Sequence, residues 1–399
     1  MTDSPPYFPH GLFASAALNS PRVMIAPQRY IQGDGVLDET GRYLSLVSSQ
    51  RAGILISRRG QQNEGRRLLA SLESVGIDPV VVTFNGECSL EEVDLQTAAL
   101  RGESRGVDCL LAVGGGKCVD AGKCIAYRLD VPLVVVPTLA SNDAPCSAVS
   151  VIYTTEGVTS GVEFFPTNPA LVVVDTGIVA EAPERYLVAG MGDAMATYYE
   201  AKVCLENPNA RTVIGARPTL AACALSEMCA NTLYASGTAA SSAVGDSRVD
   251  DALERVVEAN TLLSGVGFES GGLAIAHAIA QGYPAVAVVH DNYLHGEMVA
   301  MGLLTQLVAE ENLDEARRAA RFFSAVGLPV NLEQISLAPD RSSELDTVVE
   351  VAIGSSLAQN MPFEVTHESL LGAVIGAHQL GREVAADQGD TAYRRLQAG

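Results

Sequence analysis

The chain has 399 residues, 48% of them hydrophobic, with 47 Asp and Glu against 26 Lys and Arg, for a net charge of -21. That length allows a sizeable core and two domains, and so acidic a balance argues against nucleic acid or an acidic membrane surface as partner. No apolar run of about 18 residues, the length of a membrane span, occurs without glycine or charge.

Residues 1–20, MTDSPPYFPHGLFASAALNS, lack a basic start followed by an apolar segment, and read as a flexible leader rather than a signal peptide. Next, RVMIAPQRYIQGDGVLDETGRYLSLV runs from a β-branched stretch through a glycine-rich turn into a helix. The apolar run RAGILISRRG ends in Ser57-Arg58-Arg59-Gly60. A charged helix, the strand DPVVVTF, a helix around EEVDLQTAALRG, the strand VDCLLAVGGG, the helix KCVDAGKCIAYRL and the strand PLVVVPT follow. Strands alternating with helices of this length predict βαβ units and a mostly parallel sheet. Strands that are apolar throughout fit a sheet covered on both faces. Strand signals stop near Asp175-Thr176, and from Pro183 the chain reads as successive helices. We therefore expect an α/β domain over 21–180 and an all-helical domain over 181–399. The eight cysteines are scattered and include no CxxC pair, and several, Cys124, Cys223 and Cys229 among them, lie in apolar, helix-like surroundings, which fits reduced thiols in a cytoplasmic protein.

Two loops end strands of the first domain. Val113-Gly114-Gly115-Gly116-Lys117 joins a buried strand to a helix. Free N–H groups at a helix start, close approach at glycine and a lysine charge suit the pyrophosphate of a dinucleotide. The spacing is neither GxGxxG nor a Walker A loop. The second loop, Pro137 to Ser147, places hydroxyls and Asp143 at the carboxyl end of a parallel strand, where open α/β sheets bind ligands. In the second domain, Leu262 to Ala300 carries His277 in a small, apolar helix and His295 at the start of another. The two rings either converge on a transition metal or are core histidines satisfied by carbonyls.

Taken together, GGGKCVDAGK, PTLASNDAPCSAVSVIYTTEG, VAGMGDAMATYYEA and GVGFESGGLAIAHAI…HGE, in this order, resemble the glycerol dehydrogenases of the iron-containing, or group III, alcohol dehydrogenase superfamily. The resemblance runs from about residue 22 to the end. It implies a Rossmann-like dinucleotide-binding domain followed by a helical metal- and substrate-binding domain, an architecture shared with dehydroquinate synthase. It also implies a reversible, metal-dependent, NAD-linked oxidation of glycerol to dihydroxyacetone. By the same resemblance, Asp193, His277 and His295 hold a catalytic Zn2+, with Fe2+ also suited to such donors. Asp193 is expected at the start of a helix beginning GDAMATYYEAKV. Ser57, Gly115, Gly116, Lys117, Thr138, Ser141, Ser147, Val149 and Tyr153 match the dinucleotide contacts. Asp143 lies beside the polyol together with Asp193 and His277. A homo-oligomer, often of eight chains, is implied as well.

The chain departs from the pattern in places. The strand whose acidic end holds the adenosine ribose in the family ends here in Ser57-Arg58-Arg59, which suits the 2′-phosphate of NADP. A second histidine of the family is Ala280, its Ser-Thr-Asp is Ser141-Asn142-Asp143, and its His-Asn-Met-Pro is Gln359-Asn360-Met361-Pro362. These changes leave the substrate open among small diols and hydroxyketones. Alternative activities on the same scaffold are a dehydroquinate synthase-type cyclisation and a glycerol-1-phosphate dehydrogenase-type reaction. Both handle phosphorylated compounds, and no Lys or Arg occurs between Arg255 and Arg317 to meet a phosphate, though Arg185, Lys202 and Arg211 remain.

Overall fold

Six strands of β-branched and apolar residues lie side by side, all parallel, in the computed structural model, which describes residues 6–13, 20–47, 49–340 and 342–398. They are β1 (Tyr30–Gly33), β2 (Arg51–Ser57), β3 (Asp78–Phe84), β4 (Cys109–Gly114), β5 (Leu133–Pro137) and, after a hairpin of β6 (Val149–Tyr153) and β7 (Thr159–Phe164), β8 (Leu171–Asp175). The spatial order is β1-β8-β5-β4-β2-β3. β5 and β8 are buried along their whole length, as two-sided cover requires. Alternate residues face two apolar layers: Ile54 and Ile56 point to one, Leu55 to the other.

The helices α1 (Glu64–Ser74), α2 (Leu90–Arg101) and α3 (Gly116–Leu129) make the crossovers from β2 to β3, β3 to β4 and β4 to β5. From β2 the chain moves outward to β3, whereas from β4 it moves the other way to β5. The direction reverses between β2 and β4, so a crevice opens beyond their carboxyl ends, where ligands bind in such sheets. The antiparallel hairpin β6–β7 is an addition to the expected βα alternation, and stands in place of a helical crossover between β5 and β8.

Beyond Asp175 the described residues form no further strand. The helices that bear on the site are α4 (Glu184–Glu206), α5 (Leu220–Gly245), α6 (Asp251–Glu258), α7 (Ser264–Gly271), α8 (Ile275–Gly282) and α9 (His295–Ala309), with longer ones such as His367–Gln388 following them. A π-helical turn, Ala259–Leu263, links α6 to α7. The expected helix start at Gly192 is corrected: α4 begins at Glu184, so Asp193 lies mid-helix, on a fully buried stretch. The backbones of α4 and α9 touch where they cross. A Cβ on Gly192 would lie 2.3 Å from the Gly296 carbonyl oxygen, and one on Gly296 only 1.8 Å from that of Ala189.

Most of the expected leader, residues 1–5 and 14–19, lies outside the described residues. Within it, His10–Phe13 forms one helical turn, Tyr7 bridges to Phe164, and the His10 and Phe164 rings meet edge-on with centroids 5.7 Å apart. No single described helix is long and apolar enough to cross a membrane. The one pair that passes by composition, Asp251–Gly271 with Ile275–Ala285, is bent by 101°.

Candidate metal and dinucleotide site

Three side chains from three helices meet on the helical side of the crevice. Asp193 comes from the middle of α4, His277 from the first turns of α8 and His295 from the first position of α9. Their ligand atoms all lie within 4.8 Å of one another. Nε2 of each histidine is 3.4 Å from Oδ1 of Asp193, and the ring centroids are 5.7 Å apart. Asp193 is 1% exposed, yet both of its carboxylate oxygens lack a hydrogen-bond partner. A buried, unbonded carboxylate facing two imidazole nitrogens is costly unless a cation sits between them. One carboxylate and two imidazoles match a catalytic rather than a structural zinc site, which keeps positions open. The same oxygen and nitrogen donors suit iron(II).

The surroundings orient these groups. Oε2 of Glu200, two turns beyond Asp193 on α4, lies 2.5 Å from Nδ1 of His277. Its Oε1 accepts from the backbone N–H groups of Ala274, at 2.7 Å, and His277, at 2.9 Å. Glu200 thus directs Nε2 of His277 toward Asp193, as carboxylates behind metal-binding histidines do. Burial opposes the ionised form of Asp193, but the imidazoles, His295 foremost, hold its carboxyl well below the usual range. Burial likewise opposes protonation of His277, and Glu200 and Asp193 outweigh it and push its pKa well up. Asp143 stands nearby, within the second loop. Ser264 donates to its Oδ2 at 2.8 Å, and Ser264 in turn shares a hydrogen bond of 2.9 Å with Thr197. Burial first, and the Asp193 charge second, raise the Asp143 carboxyl well above its ordinary pKa. Asn260, on the π-helical turn, donates to the carbonyls of Ala140 at 2.9 Å and Leu187 at 3.1 Å, which ties this loop to α4.

The dinucleotide candidates lie across the crevice. Gly115 and Gly116 open α3, and a Cβ on Gly116 would lie 2.5 Å from Nδ2 of Asn142, so glycine lets the two loops meet. Nζ of Lys117 lies 2.5 Å from Oε1 of Glu87 and 4.9 Å from the centroid of the Tyr153 ring. Its charge is therefore balanced within the protein. Thr138 follows β5, its N–H donating to the Gly114 carbonyl at 3.1 Å, and Ser141 is half-buried in the same loop. Ser147 is 1% exposed and receives a hydrogen bond of 3.0 Å from the buried Lys123, which also donates to the Val149 carbonyl at 2.7 Å and to Asp120 at 3.0 Å. Ser57 caps a short helix, accepting from the Gly60 N–H at 3.1 Å.

Glu200, Ser264, Asn260 and Lys123 were not singled out as site residues by the sequence. Glu200 carried a usable signal, since seven residues separate it from Asp193 and place both on one helix face. Of the basic residues left for a phosphorylated substrate, Arg185 is held by Glu297 at 2.7 Å and Arg211 by the carbonyls of Pro208 and Ala210.

Residues 27–176 match the family described as iron-containing alcohol dehydrogenase. A glycerol dehydrogenase of Escherichia coli O6:H1 is 42% identical over 366 residues, spanning 90% of this chain and 98% of that one. A glycolaldehyde reductase of Halobacterium salinarum is 36% identical over 364 residues, spanning 91% and 98%. The crystal structure of glycerol dehydrogenase from Schizosaccharomyces pombe superposes with a TM-score of 0.88 at 31% identity, covering 93% of each chain. With the triad, the parallel sheet and the helical second half all in place, these likenesses over nine-tenths of the sequence establish that the chain belongs to the iron-containing alcohol dehydrogenase family, as a polyol dehydrogenase similar to the glycerol dehydrogenases and acting on CH–OH groups.

Proposed function

We propose that the protein oxidises glycerol to dihydroxyacetone, reversibly, with a nicotinamide dinucleotide as hydride acceptor and a divalent metal held by Asp193, His277 and His295. The observation that carries this reading is the buried Asp193 carboxylate, with both oxygens unbonded, facing Nε2 of two histidines. Zinc is the proposed ion, iron(II) the alternative; bound there, it supplies Lewis acidity toward a substrate hydroxyl. Glu200 fixes the ring of His277. Asp143, steadied by Ser264, offers its remaining oxygen to the neighbouring hydroxyl, so that one carbon of the polyol is presented in a fixed orientation. Gly115, Gly116 and the loop bearing Thr138 and Ser141 form the dinucleotide wall, with Lys117 and Tyr153 at its edge. Ser147 and Val149 support that wall through Lys123.

The changes at Asn142, Ala280 and Gln359 extend the proposed substrates to small diols and hydroxyketones as a class. Ala280 is buried and Gln359 exposed, which makes Ala280 the one of the two with a bearing on interior shape. A cytoplasmic location is proposed from the acidic chain and its eight free thiols. A homo-oligomer, an octamer by the family resemblance, is proposed with support from α5, whose outer face exposes Leu220 and Met228.

The test is steady-state oxidation of glycerol, 1,2-diols and a phosphorylated polyol by metal-loaded protein, followed by reduction of the nicotinamide. Turnover of the neutral polyols is expected. Turnover confined to the phosphorylated compound, or none at all, overturns the proposal.

A further inference from the structure

We infer that Arg58 and Arg59 make this enzyme select the 2′-phosphorylated dinucleotide, NADP, over NAD, an inference that rests on the dinucleotide reading of the β2–β4 crevice. Ile56 pairs with Val113 in the parallel register of β2 and β4, so Ser57 and the arginines after it leave the sheet beside the Gly114–Gly116 turn. A dinucleotide whose pyrophosphate lies on that turn extends its adenosine ribose toward the neighbouring strand end. There a carboxylate recognises a free 2′-hydroxyl, whereas arginine accommodates a 2′-phosphate.

No carboxylate stands at this strand end. Residues 57–63 read Ser, Arg, Arg, Gly, Gln, Gln, Asn, and the Ser57 hydroxyl already accepts from Gly60. Glu87, in the loop after β3, is held by Lys117 at 2.5 Å. Arg58 and Arg59 are both exposed, and among the described residues neither side chain has a hydrogen-bond or ion-pair partner. Arg51, Arg67, Arg128 and Arg185, by contrast, each hold an acid. Two unpaired guanidinium groups at the start of the short helix capped by Ser57 supply the charge and donors that a phosphate dianion needs. The same pair leaves the 2′-hydroxyl of NAD without an acceptor.

The experiment has two arms on the full-length protein. Binding of 2′,5′-ADP and of 5′-AMP is measured by calorimetry at fixed ionic strength, which needs no substrate and no turnover. The ratio of kcat/KM for NADP to that for NAD is measured with an oxidised polyol, in the native protein and in Arg58→Ala, Arg59→Ala and the double variant. We expect 2′,5′-ADP to bind tighter and the ratio to exceed one, falling roughly tenfold or more on loss of either arginine, the effect of one charged hydrogen bond. Equal binding of the two nucleotides, or a ratio that the variants leave unmoved, overturns the inference. Arginine-dependent preference for 2′,5′-ADP without turnover of any polyol upholds the inference and overturns the substrate reading instead.

Discussion

Glu200 and His277 come from different helices and are joined by a 2.5 Å contact between carboxylate and Nδ1, which leaves Nε2 of the ring toward Asp193. We expect Glu200→Gln to weaken metal affinity by about 10- to 100-fold, the usual effect of removing such a partner. Competition with a chromophoric chelator measures it. Native affinity in a folded variant would show that the ring is held by packing alone.

Asp193 should matter more. In Asp193→Asn the carboxylate charge between the two imidazoles is lost, so bound metal and turnover should vanish together. Metal analysis after gel filtration, beside the rate, decides it. Treatment of the native protein with a chelator should abolish turnover, and addition of zinc or iron(II) should restore it, the more effective ion identifying the one used.

The crossing of α4 and α9 makes a stability prediction. Gly296→Ala would place a methyl 1.8 Å from the Ala189 carbonyl oxygen, and backbone cannot give way as a flexible side chain does. We expect a loss of about 1–3 kcal/mol or more, the cost of overpacking, read from urea denaturation. A neutral result would show that the two helices slide freely.

Glu269 makes a pH prediction. It is buried, accepts from the Ala148 N–H at 2.7 Å and from Asn168 at 2.7 Å, and burial pushes its carboxyl up to about 7. A carboxyl raised in the folded state contributes stability that is complete below its unfolded pKa and lost as pH rises through the folded one. Between about pH 4.5 and 7 the native state binds the extra proton, so this contribution should decline by on the order of 3 kcal/mol. Glu269→Gln should flatten that part of the stability curve; an unchanged slope would assign the pH dependence elsewhere.

The parallel sheet was legible because β4, β5 and β8 are unbroken apolar runs that only two-sided burial explains. The β6–β7 hairpin was not: β7 exposes most of its residues, and Thr159-Ser160-Gly161 carries no buried period. The start of α4 was misread for a physical reason. Gly190 and Gly192 look like a helix boundary, whereas they are buried positions inside the helix, where glycine admits a neighbouring backbone. Of the candidate centre, His277 and His295 stood out by their helical surroundings, with a core role also open because their separation fits no compact motif, whereas Asp193 came only through resemblance. The supporting groups were hidden because Glu200, Ser264 and Asn260 acquire meaning only through contacts 73 to 121 residues away, at which no local pattern is left.

The glycine crossing sets the spacing of the centre in a way that side chains cannot revise. Asp193 follows Gly192 and His295 precedes Gly296, so each donor is one residue from a point where main chain rests on main chain. The gauge between those two donors is therefore ruled by the thickness of the peptide backbone itself. Divergence toward other alcohols has the loop and the pocket wall to work with, while this gauge carries no adjustable part.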